Sequence, residues 1–140
     1  MSPRIIVCDD EPHIVRAISL KFSRAGFDVH GAADAEACWE LLRKHPPALL
    51  ITDYTMPGMN GAQLVRRIRE SKSLADLPVI MLTARGFELA EQSVELNGLD
   101  LSAIVNKPFS PRELVVKAYE VLGYEAEPST AAYRDSYSSI

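Results

Sequence analysis

At 140 residues, 47% hydrophobic and 24% charged, the chain has the size and composition of one ordinary globular domain, which excludes the disordered and membrane-spanning classes. A formal charge of −4, with no basic patch, offers no field for nucleic acid. No apolar run is as long as a membrane span, and Met1-Ser2-Pro3-Arg4 leads straight into Ile5-Ile6-Val7-Cys8 without a signal-peptide apolar region, so a cytoplasmic protein without membrane contact is expected.

The first predicted strand is Arg4 to Asp9, with the apolar run Ile5 to Cys8, ending in the acidic cluster Asp9-Asp10-Glu11 before Pro12, a residue suited to a helix start. Ile14, Ile18 and Phe22 recur at helical spacing until Gly26 stops the helix. Phe27 to Ala32 is a weaker strand. Asp34 then caps a helix carrying Cys38, Trp39 and Leu42, which runs out at His45-Pro46-Pro47. Cys8 and Cys38 lack metal or redox spacing and are expected to be buried thiols. The stretch Ala48 to Gly61, ALLITDYTMPGMNG, organises the rest. An apolar strand stops at Asp53, Met56-Pro57-Gly58 makes a turn, and an amphipathic run follows from Gln63 to Glu70.

Val79 to Leu82 is another uninterrupted apolar strand, ending at Thr83. Phe87 to Leu96 reads as a helix with a poor apolar stripe. Ser102 to Asn106 reads as the fifth strand, with the apolar run Ala103-Ile104-Val105, and terminates at Lys107-Pro108-Phe109; a last helix carries Leu114, Val115, Ala118 and Leu122. Residues 1–123 are expected to form the domain, and 124–140 a flexible or loosely docked tail. Five strands alternating with five helices imply an α/β fold, a doubly wound parallel sheet whose strand order the pattern leaves open.

Four strands end in a polar group: Asp9-Asp10, Asp53, Thr83 and Lys107. In a parallel sheet these ends share one edge. Carboxylates about 4 Å apart repel by about 4 kcal/mol per pair at an effective dielectric of 20, so the cluster calls for a cation. Oxygen ligands without His or Cys favour Mg²⁺ over zinc. Lys107 and the Thr83 hydroxyl then suit an oxyanion held against the metal, which is a phosphoryl site.

With the acidic pair Asp9-Asp10, the run Asp53 to Gly61, Thr83-Ala84 and Lys107-Pro108-Phe109 in register, the chain resembles the receiver domain of two-component response regulators from about Arg4 to Gly123. The resemblance implies a flavodoxin-like five-stranded sheet of order 2-1-3-4-5 and Asp53 as phosphoacceptor. It implies Mg²⁺ held by Asp10, Asp53 and the backbone carbonyl of Thr55, with Asp9 acting through water, and a cis Lys107-Pro108 bond. The implied partners are a histidine kinase or histidine phosphotransfer protein and a downstream protein target reached through the face formed by residues 87–122, with Thr83 as switch. Catalysis would be limited to the chain's own aspartyl phosphorylation and dephosphorylation. Ile104 departs from the family, which usually has Tyr or Phe there; a β-branched residue has few rotamers and no hydroxyl. A stand-alone receiver is the expected form. The alternatives are an N-terminal fragment of a larger regulator, or a phosphorylation-independent interaction module that retains the site.

Overall fold

The protein is described by a computed structural model that covers residues 2–84, 96 and 98–124. Its elements, in chain order, are β1 (Arg4–Cys8), α1 (Pro12–Arg24), β2 (Asp28–Ala32), α2 (Ala35–Lys44), β3 (Leu49–Asp53), α3 (Gly61–Arg69), β4 (Val79–Ala84), β5 (Ala103–Lys107) and α4 (Pro111–Leu122). All strand pairings are parallel, in one sheet of order β2-β1-β3-β4-β5, as the resemblance implies. Four helices stand among the described residues. The helix expected over Phe87 to Leu96 and the tail from residue 125 onward lie outside them, apart from Leu96.

The two-residue period of the three central strands divides the interior into two cores. Ile5, Val7, Leu49, Ile51, Ile80 and Leu82 face Ile18 and Phe22 of α1 and Leu114, Val115 and Ala118 of α4. Ile6, Cys8, Leu50, Val79 and Met81 face Cys38 and Leu42 of α2 and Leu64, Val65 and Ile68 of α3. Each strand therefore buries both faces, which is why these runs are apolar throughout instead of alternating. Both cysteines are free thiols inside the second core.

Local chemistry sets the helix ends. Asp34 accepts a 2.8 Å bond from the Ala37 amide, the expected cap of α2. Ser110 caps α4 by accepting from the Glu113 amide, with Pro111 in the first turn, and α4 stops at Gly123 in the left-handed region. Helix α3 begins at Gly61, two residues before the predicted start, because Asn60 and Gln63 form a reciprocal capping box. Strand β2 begins at Asp28 and not Phe27, whose ring instead packs 5.4 Å from Phe22 and 5.9 Å from Tyr119. Arg69 at the end of α3 donates to the carbonyls of Ala75, Leu77, Leu99 and Asp100, tying together the approaches to β4 and β5.

Candidate phosphoryl and metal site

The strand registers assemble the site before any side chain is considered. Cys8 is paired with Thr52, so Asp9 and Asp53 leave adjacent strands side by side. Asp53 is paired with Leu82, placing Thr83 one step further on β4, and Thr83 and Ala84 are paired with Asn106 and Lys107 of β5. All of these residues lie at the carboxyl edge of the sheet.

The backbone holds Asp53 in place. The Tyr54 amide donates to the Leu82 carbonyl, and the Gly61 amide donates to the Tyr54 carbonyl, both at 2.8 Å, folding the turn back under the strand end. That close return requires glycine at 61, because a Cβ there would collide with the Asp53 carbonyl oxygen and press on Met81 Sδ at 2.9 Å. Asp9 is fixed by its Oδ1, which accepts from the Glu11 amide at 2.9 Å.

Lys107 is the hub. Its Nζ lies 3.1 Å from Asp53 Oδ2, 3.2 Å from Asp9 Oδ2 and 3.5 Å from Glu11 Oε1. The Lys107-Pro108 peptide is cis, as expected. Glu11 stands at the N-cap of α1 without making a side-chain cap bond, leaving its carboxylate to Lys107. Beside Lys107 and Glu11 an open cleft of about 560 Å³ runs between Ile14 of α1 and Pro108-Phe109.

Burial sets the electrostatics. Asp9 is 0% exposed and Asp53 5%. Burial raises the carboxyl pKa of both above the ordinary aspartate value. For Asp53 the neighbouring Asp9 charge adds to the rise, while Lys107 and the Thr55 backbone amide oppose it. Burial alone would lower the pKa of Lys107, but the Asp53 and Asp9 carboxylates outweigh it and raise the value. The site thus holds more negative charge than one lysine satisfies.

One carboxylate oxygen from each of Asp9, Asp10 and Asp53 lies within 4.8 Å of the others. An octahedral Mg²⁺ takes oxygens about 2.1 Å away, so acids gathered this closely can serve one such ion, directly or through water. The donors are hard oxygens, and exposed Asp10 beside two buried acids leaves one side open to solvent. Thr55 is exposed, with its amide on Asp53. Residues Asp9, Asp10, Asp53 and Lys107 therefore come together as expected.

Thr83 reaches the same edge, but its hydroxyl donates to Asn106 Oδ1 at 2.9 Å. Ile104 is 52% exposed on β5, opposite Met81, and takes no part in the acid cluster. Two participants escape the motif reading. Glu11 stands beside Asp9 and Asp10 in the sequence but is given no role there, and Asn106 becomes visible only once β4 and β5 are aligned.

Comparison with known proteins agrees with this geometry. Residues 5–119 match the response regulator receiver domain. The phosphate regulon transcriptional regulatory protein PhoB of Pseudomonas aeruginosa is 34% identical over 84% of this chain and 51% of its own length. Response regulator GtcR of Aneurinibacillus migulanus is 36% identical over 84% of this chain and 46% of its own length. The chain thus spans about half the length of the curated relatives it matches. Among solved structures, the chemotaxis response regulator CheY4 of Vibrio cholerae superposes with a TM-score of 0.78 at 25% identity, covering 86% of this chain and 99% of that one. A response regulator receiver protein from Pseudomonas putida gives 0.78 at 27% identity, covering 86% and 98%. On the family match and the shared architecture, the chain belongs to the response regulator receiver domain family.

Proposed function

We propose that the chain is a phosphoacceptor receiver of a two-component or phosphorelay system, with Asp53 as the acceptor and protein contacts as the output. A carboxylate oxygen of Asp53 attacks phosphorus in line as the bond to the donor histidine nitrogen breaks, leaving an acyl phosphate on Asp53 and the donor imidazole free. Lys107, already 3.1 Å from Asp53, neutralises charge on the transferring group without a large movement. Asp10, Asp53 and the Thr55 carbonyl would hold Mg²⁺, with Asp9 acting through water; the ion supplies charge neutralisation at the phosphoryl oxygens. Catalysis is confined to the chain's own phosphorylation and dephosphorylation. The donor is a histidine kinase or histidine phosphotransfer protein, for which the cleft beside Lys107 provides an approach. The downstream target is met in the cytoplasm through the 87–122 region, of which β5 and α4 lie among the described residues.

The observation that carries this reading is a buried carboxylate at a strand end, ion-paired to Lys107 and grouped with two further acids. Intact mass after incubation with Mg²⁺ and acetyl phosphate tests it. Wild type gains one phosphoryl group and Asp53→Asn gains none; equal labelling of the Asn variant overturns the assignment. The exposed Ile104 favours a second reading, a phosphorylation-independent interaction module, which predicts no adduct on wild type. Because the chain spans about half the length of its transcriptional relatives, a stand-alone receiver and a receiver segment of a larger regulator are both forms of this proposal. The mass of the endogenous protein separates those two.

A further inference from the structure

Thr83 and Asn106 stand directly opposite each other in the β4–β5 ladder. The Thr83 hydroxyl, on a residue only 1% exposed, donates to Asn106 Oδ1 at 2.9 Å. A hydroxyl carries one proton and serves one acceptor at a time. While that proton is directed to Asn106, it is unavailable to an oxygen of a phosphoryl group on Asp53. Threonine is stiff about χ1, so its hydroxyl changes partner by a discrete rotamer step. Asn106 is itself exposed, on an edge strand, and adjoins the lysine that pairs with Asp53. Ile104 has no hydrogen-bonding group with which to take the same part.

We propose that Asn106 is a positioning residue that latches Thr83 in the resting state, so that occupation of the phosphoryl site competes with the Thr83–Asn106 hydrogen bond. Release of the bond frees the Asn106 carboxamide on the exposed edge strand, two residues from Ile104. Phosphorylation is thereby reported through a polar pair across β4 and β5, in a chain without an aromatic at position 104. The inference rests on Asp53 being the phosphoacceptor.

The test is the affinity of the full chain for beryllium fluoride at saturating Mg²⁺, read by ¹⁹F NMR, in wild type, Asn106→Leu, Thr83→Val and the double variant. Leu is nearly isosteric with Asn but cannot accept, and Asn106→Ala gives the same comparison should Leu disturb the strand. A neutral hydrogen bond that must be given up is worth about 1 kcal/mol, so Asn106→Leu tightens beryllofluoride binding about fivefold. In the Thr83→Val background the same change has no effect, an outcome that a merely structural role for Asn106 would not produce. Binding by Asn106→Leu that is unchanged or weaker, or equal tightening with and without the Thr83 hydroxyl, overturns the latch while leaving the phosphoacceptor assignment intact. Failure of wild type to bind beryllofluoride overturns both.

Discussion

Strand β3 is buried at all five of its residues, whereas β5 is fully buried at none of them and alternates between half-buried and exposed. Both deliver a charge to the same place, Asp53 from β3 and Lys107 from β5, 3.1 Å apart. The acid comes from a strand flanked on both sides by others, packed above and below, with the Gly61 return beneath it. The lysine, together with Asn106 and Ile104, comes from the sheet edge. A fixed nucleophile beside an edge strand with fewer constraints is a division of labour: the centre sets the geometry of the chemistry, and the edge has room to report that it occurred.

The most severe way to break this pairing is to remove the contribution from the edge. Lys107→Ala leaves Asp9 and Asp53 buried without their shared cation. Phosphorylation by acetyl phosphate is expected to slow by about a hundredfold, the scale of losing one preorganised stabiliser of developing charge. A rate within threefold of wild type would mean that β5 contributes nothing to the chemistry and that the comparison fails at its first step. Striking the centre instead, Gly61→Ala forces a methyl group against the Asp53 carbonyl and Met81. Destabilisation of about 1–3 kcal/mol in urea unfolding is expected, with slower phosphorylation as Asp53 shifts. Unaltered stability would show that the turn has slack which the close packing denies.

A subtler probe exploits the excess negative charge at the site. Asp53 has its pKa raised by burial and by Asp9, so in the absence of metal its charged form disfavours the fold at neutral pH, and that penalty is relieved as pH falls through the raised value. Asp53→Asn is therefore expected to melt above wild type in EDTA at neutral pH, with the gap narrowing under mild acid. Lys107 behaves in the opposite sense. Its raised pKa contributes stability below the ordinary lysine value, and that stability is lost as pH rises through the folded one. A melting difference that widens on acidification would show that the pairing with Lys107 outweighs the burial of Asp53.

The same contrast between centre and edge governs how much could be read from residues alone. Asp9, Asp53, Thr83 and Lys107 are legible because each stands within two residues of the end of an apolar run, and a parallel sheet gathers such ends on one side. Asn106 is not, because its role depends on which strand lies beside β4 and in what register. Strand β5 reads like another buried run, since Ala103, Ile104 and Val105 are all apolar; its edge position exposes the middle one. Asn60 and Gln63 carry the spacing of a capping box, but the glycine between them obscures where α3 begins.

The smallest expected effect falls on Ile104, where the chemistry and the readout can be separated. The side chain is about half exposed, opposite buried Met81, and belongs to neither the acid cluster nor the Thr83–Asn106 pair. Ile104→Tyr should therefore change stability by no more than about 0.5 kcal/mol, the ordinary range for a surface site. The rate of labelling by acetyl phosphate should stay within twofold of wild type. What should change is the difference in affinity for a protein partner between beryllofluoride-loaded and unloaded protein, because an aromatic ring with a hydroxyl offers the edge a contact that a β-branched aliphatic cannot. A labelling rate that moves more than the partner affinity would place Ile104 in the phosphoryl site and erase the boundary between fixed centre and reporting edge.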